Sequence, residues 1–177
     1  VNVTFTNSLT LPIRITYTIN NGTDQVQIVN ANSSATVPVS TSTPGIYIYR
    51  ITKVQYQSSP TCENILATPP SATITVLATP TATVSGTTSV CQNDPSPVIT
   101  FANPQNRRIR VRYQIDGGGE ITIYINANSS VTVNRSTATP GTFDYTISNV
   151  RYDPGPYCLN TSVAGSATIT VNPLPVP

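Results

Sequence analysis

Three cysteines, a row of arginines and seven carboxylates are the side chains of this 177-residue sequence with which chemistry could be done. The thiols come first, because Cys91 and Cys158 would close a loop of about 66 residues. In the chain-entropy picture such a crosslink contributes roughly 4 kcal/mol. That pairing leaves Cys62 to bond a cysteine upstream of Val1. The rival pairing joins Cys62 to Cys91 and leaves Cys158 alone. Either way the thiols point to an oxidising setting, and the sequence has no Cys-x-x-Cys or Cys/His cluster for zinc or thiol redox work.

Arg108, Arg110 and Arg112 alternate with Ile109 and Val111, so they project from one face of a strand. Such a row is a candidate contact for sulfated or uronic polysaccharide through paired hydrogen bonds, with Tyr124 as an exposed aromatic beside it. The plainer reading is a charged edge that resists sheet pairing. Catalysis finds little footing. There is no histidine, and Asp116 and Glu120 flank a turn, where Asp116 has turn chemistry to do without any substrate. No EF-type spacing suggests calcium, so no metal and no cofactor are expected. The Asn-x-Ser/Thr triplets are explained by a residue pool rich in all three types, and no glycan is assigned.

The elements that must hold these residues are strands. Threonine, serine, asparagine, valine and 16 prolines dominate, and charged residues make up only 9%. A net charge of +2 is too small a field to recruit nucleic acid or an anionic membrane. Val1 opens directly into strand-like sequence without a leader pattern, so a mature or excised piece is expected, and no stretch is apolar for the roughly 18 to 20 residues a membrane helix needs.

The chain also repeats itself. Asn32-Ser33-Ser34 returns as Asn128-Ser129-Ser130 and Thr43-Pro44-Gly45 as Thr139-Pro140-Gly141, both at an offset of 96. Cys62 maps to Cys158 at that spacing, and Ser71 to Val76 returns as Ser166 to Val171 at 95. Tandem modules over 1–77 and 78–177 follow. In the second, strands are expected at Thr81–Val84, Val98–Phe101, Arg108–Ile115, Ile121–Ile125, Val131–Val133, Phe143–Tyr152 and Ala167–Val171. About seven antiparallel strands in this length is the immunoglobulin-like number, so the expected fold is all-β, two tandem sandwiches. Asp116-Gly117-Gly118-Gly119 should turn a hairpin.

Phe143, Tyr145 and Ile147 keep one parity, while Val150 and Tyr152 take the other, and Tyr47 to Tyr56 slips likewise. A β-bulge is therefore expected near Ser148-Asn149 and near Thr52-Lys53. Val26 and Ile28 align with Thr122 and Tyr124 rather than with isoleucines, which suggests a local register difference. Residues 79–96 have no counterpart ahead of Val1, so the first module should lack its first strand, its open edge being covered from upstream or by a neighbour. Prolines at Pro80 and in Asn172 to Pro177 favour semi-rigid connections.

The wording of the second module is distinctive: Thr81 to Thr87, Val90-Cys91-Gln92-Asn93, Pro97 to Phe101, Tyr113 to Gly118, Ala138 to Phe143, and Gly165 to Pro175. It resembles the tandem repeats of the giant SprB-like gliding adhesins of Bacteroidota. The resemblance implies an extracellular, outer-membrane-associated filament exported by type IX secretion and moved by the gliding machinery. Its partners would be further repeats of the same chain and the polysaccharide or abiotic substratum it touches. The run from Arg107 to Arg112 departs from that pattern, where small polar and aromatic residues are expected. A glycan-binding or spacer module of a secreted hydrolase, or a strand-exchanging fibre subunit, is the alternative.

Overall fold

The computed structural model describes residues 1–176, which form strands, turns and loops with no helix. Two compact units divide the chain, Val1–Ala78 and Thr79 onward.

In the first unit, β1 (Asn2–Asn7) pairs antiparallel with β4 (Ser33–Pro38). The facing sheet has the order β3-β2-β5-β6, from β3 (Gln25–Val29), β2 (Ile13–Ile19), β5 (Gly45–Tyr56) and β6 (Glu63–Ile65). β7 (Ser71–Val76) also pairs with β5. Alternation drives the packing: Val3 and Phe5 of β1 point inward against Ile13, Ile15 and Tyr17 of β2, and all five are buried.

Among the described residues, the second unit has nine strands rather than the seven expected, and one pairing is parallel. β10 (Val98–Asn103) sits between β13 (Ser129–Asn134) and β8 (Thr83–Ser85). Opposite lies the order β12-β11-β14-β16-β9, from β12 (Ile121–Ile125), β11 (Ile109–Ile115), β14 (Gly141–Tyr152), β16 (Ser166–Asn172) and β9 (Thr88–Cys91). β15 (Leu159–Asn160) pairs with β14. The two additional strands are β15, only two residues long, and β9, which arises because the first strand breaks at Gly86. Before it, β8 runs antiparallel to β10; after it, the chain crosses to the other sheet and β9 runs parallel to β16.

Gly86 has φ +112°, and a Cβ built there would lie 2.4 Å from the Val98 carbonyl oxygen. Gly86→Ala should therefore cost the second unit about 2 kcal/mol, read as a lower midpoint in urea unfolding. An unchanged midpoint would mean the crossing relaxes freely around a side chain.

The two units share their scaffold position by position. Phe5 and Tyr17 pack as tilted rings at 4.9 Å and Phe101 and Tyr113 at 4.6 Å, each joining the two sheets of its own unit, with Tyr49 and Tyr145 stacked on the tyrosine as the third ring. Both bulges fall where the parity change required. Thr16 pairs with Lys53 and Tyr17 with Ile51, so Thr52 is the extra residue; Arg112 pairs with Asn149 and Tyr113 with Ile147, so Ser148 is extra. Asn20 and Asn21, and Asp116 and Gly117, adopt positive φ in the equivalent hairpin turns, the geometry that matches strand twist.

The expected register difference in the fourth strand is not found. Ile13 faces Val29 as Ile109 faces Ile125, so β3 and β12 hold one register, and Val26 and Ile28 point outward, each nearly half exposed. The inward face is fixed by Val29 and Ile125, both buried, and this anchor outweighs the cost of two exposed aliphatic side chains.

Among the described residues of the first unit, nothing takes the places of β8 and β9. Inward residues of β7 are consequently less covered than those of β16: Ala72 is exposed and Ile74 half-buried, where Ala167 and Ile169 are 1% and 0% exposed. A groove of about 180 Å³ opens there, lined by Phe5, Tyr49, Ile51, Pro70 and Ala72. In the second unit β8 occupies the corresponding place, with Val84 opposite Phe101 and beside Gly165.

Candidate functional site

The arginine row lies on the outer face of the larger sheet of the second unit, because the inward positions of β11 are taken by Ile109, Val111 and Tyr113, all at most 3% exposed. It is not an edge: β11 is flanked by β12 and β14. Across the sheet the register sets Tyr124, Arg110, Arg151 and Leu159 in one line.

The three arginines differ in their surroundings. Arg112 donates to Glu120 at 2.9 Å, and Glu120 also accepts from Ser148 Oγ at 2.7 Å and Asn149 Nδ2 at 3.2 Å. The bulge is what turns Ser148 and Asn149 toward that carboxylate. Arg108 pairs with Asp153 at 3.6 Å and stacks over the Tyr124 ring at 4.8 Å. Arg110, between them, is 9% exposed and has no carboxylate. Its Nη2 donates to the neutral Asn149 Oδ1 at 3.3 Å, and its buried Nε has no partner. Burial, followed by the charges of Arg151 and Arg112, lowers its pKa from the ordinary guanidinium value.

Arg151 and Tyr157 complete the patch and were not singled out from the sequence. Arg151 lies directly opposite Arg110, has its own buried Nε without a partner, and stacks over Tyr157 at 4.6 Å. Its outward parity was readable once Val150 and Tyr152 were placed inward. Its neighbourhood with Arg110 needed the strand order. The equivalent face of the first unit carries Arg14, Gln55 and Ile28 in place of Arg110, Arg151 and Tyr124, so the patch belongs to the second unit alone.

Asp116 and Glu120 are held in separate networks. Asp116 Oδ1 accepts from the Asp144 backbone N–H at 2.7 Å, tying the hairpin turn to β14, whereas Glu120 belongs to Arg112 and the bulge. The equivalent Asn20 Oδ1 accepts from Ile48 N–H at 2.8 Å, so a side-chain acceptor is what both turns require.

The expected Cys91–Cys158 disulfide is not seen in the structure, where Cys62, Cys91 and Cys158 are each unpaired. Cys91 pairs with Asn172, beside the Gly141 end of β14, while Cys158 precedes Leu159, which pairs with Arg151 at the other end. At about 3.3 Å per residue the separation is roughly 30 Å, far beyond the about 7 Å between Cα atoms that a disulfide spans. Loop length alone could not reveal that the two ends sit at opposite poles.

No protein-family model matches the chain, and no curated protein matches it in sequence. Among solved structures it is similar to invasin, a bacterial integrin-binding protein, at 16% identity and TM-score 0.37, over 99% of this chain and 36% of that one. It is similar to the D0-D1 domain of intimin at 13% and 0.30, over 96% and 87%. It is likewise similar to red sea bream transglutaminase at 14% and 0.29, over 97% and 28%. The chain thus spans about a third of the length of invasin and less than a third of the transglutaminase.

Proposed function

We propose that this chain is a structural and adhesive repeat segment of a large secreted cell-surface filament protein of the gliding-adhesin kind. The observation carrying this reading is a scaffold shared by the two units in register, bulge, hairpin turn and aromatic cluster, while their outer faces diverge. A repeat of this design gives length from the shared positions and contact chemistry from the free ones. The sequence resemblance of the second unit to SprB-like repeats supports the same setting, including type IX export and association with the outer membrane. A glycan-binding or spacer module of a secreted hydrolase is the second reading, favoured by the arginine and tyrosine face, which would serve an enzyme's substrate targeting equally well.

Immunogold labelling of intact cells of the source organism with antibodies against residues 1–177 tests the first reading. Gold is expected on material extending from the cell surface, and Fab fragments are expected to reduce attachment. Antigen found only in cell-free supernatant, co-fractionating with a hydrolase, would overturn it.

A further inference from the structure

We propose that the outer face of the second unit's larger sheet, centred on Arg110 and Arg151, binds an acidic polysaccharide through its sulfate or carboxylate groups. Two cations directly opposite one another on neighbouring strands repel, and like pairs in that position destabilise a sheet. Here each also buries an Nε that finds no acceptor. The carboxylates nearby are already committed, Glu120 to Arg112 and Asp153 to Arg108. What remains is a paired guanidinium site whose only side-chain hydrogen-bond partner among the described residues is the carboxamide of Asn149. An anionic oxygen between Arg110 and Arg151 would offset the repulsion of the pair, and guanidinium forks match sulfate and carboxylate geometry.

The flanks favour a sugar polymer over other polyanions. Tyr124 and Tyr157, 48% and 61% exposed, stand at the two sides of the arginine pair, each with a guanidinium over its ring. Three strand spacings separate β12 from β15, about 14 Å, so the patch accommodates a few sugar units laid across the strands. A net charge of +2 gives none of the long-range field on which backbone binding of nucleic acid depends. The proposal names a ligand class for the surface-adhesion reading and takes its biological setting from it. Binding by the purified chain is measured independently of cell location, so either can fail alone.

The test is titration calorimetry of the whole 177-residue chain with dextran sulfate, alginate and neutral dextran, with single-stranded DNA as a further ligand. Binding of dextran sulfate or alginate, and not of dextran, is expected, the choice between the two showing whether sulfate or carboxylate is preferred. Arg110→Gln and Arg151→Gln should each weaken it about tenfold or more. Arg50→Gln, which removes the same charge from the first unit, should leave it unchanged. Equal weakening by Arg50→Gln would reduce the effect to net charge and overturn the site, as would absence of polysaccharide binding or a preference for DNA. Should an arginine variant fail to fold, the wild-type melt decides: the acidic polymer must raise the second unit's transition and spare the first.

Discussion

Asn103→Ala is expected to lower the stability of the second unit by about 4 kcal/mol, enough to unfold a marginal domain. Asn103 is 1% exposed at the inward end of β10. Its Nδ2 donates to the carbonyls of Arg107 at 2.8 Å, Ile125 at 3.3 Å and Asn126 at 2.9 Å, and its Oδ1 accepts from Gln105 N–H at 3.0 Å. One side chain thus closes the loop between β10 and β11 and pins the end of β12. Alanine leaves several buried backbone groups without partners, the costly half of the hydrogen-bond ledger. Asn7 makes the same four contacts in the first unit, with Leu11, Val29, Asn30 and Leu9. The check is urea unfolding of single variants: Asn103→Ala should shift only the second unit's transition and Asn7→Ala only the first's. Aspartate at position 103 should not rescue, since it supplies no donor. A loss below about 1 kcal/mol would show that water replaces the clamp.

The second large effect is expected from adding residues rather than removing them. Placing a copy of residues 79–96 directly ahead of Val1 reproduces the spacing of the second unit and should bring the equivalents of Ala82 and Val84 onto the groove beside Phe5 and Pro70. Ala82 is 3% exposed where it sits now. Burying two or three such side chains while covering Ala72 and Ile74 stabilises by something on the order of 5 kcal/mol. For a domain of this size that raises a melting midpoint by well over ~10 °C. Calorimetry of the extended chain should show the first unit's transition climbing toward the second's. If the midpoint stays put, the groove does not accept a strand, and the weaker covering of β7 is a property of this unit alone.

The bulges were legible because side-chain parity is a strict period of two, so a slip between Ile147 and Val150 has only one geometric remedy. The hairpin turns were legible for a similar reason, since Asp116 and Gly117 both tolerate positive φ. The fourth strand misled, because the apolar pattern of Val26 and Ile28 competes with the single buried anchor Val29, and pattern alone does not say which wins. Asn7 and Asn103 passed unnoticed in a sequence crowded with asparagine. Their signal was present nonetheless: each continues the inward parity of Val3 and Phe5, or of Ile99 and Phe101, at the repeat spacing. The arginine row was visible within one strand, but the opposed Arg110–Arg151 pair depends on which strands are neighbours and on the bulge that sets their register. The places of Cys91 and Cys158 depend on the same thing, because count and loop length carry no information about which pole a residue occupies.

The parallel pairing of β9 with β16 has a mechanical meaning. The chain enters β9 at Thr88 and leaves β16 at Asn172, and Thr88 pairs with Ile169 while Cys91 pairs with Asn172. A pull that drags β9 backward toward the start of the chain and β16 forward toward its end slides the two strands along each other. Their ladder bonds then resist together in shear instead of opening one after another like a zip. Asn172 Nδ2 reinforces the clamp with bonds to Ser89 Oγ at 2.8 Å and the Val90 carbonyl at 3.2 Å. Resistance to extension at this pair of strands is therefore set by hydrogen bonds loaded side by side.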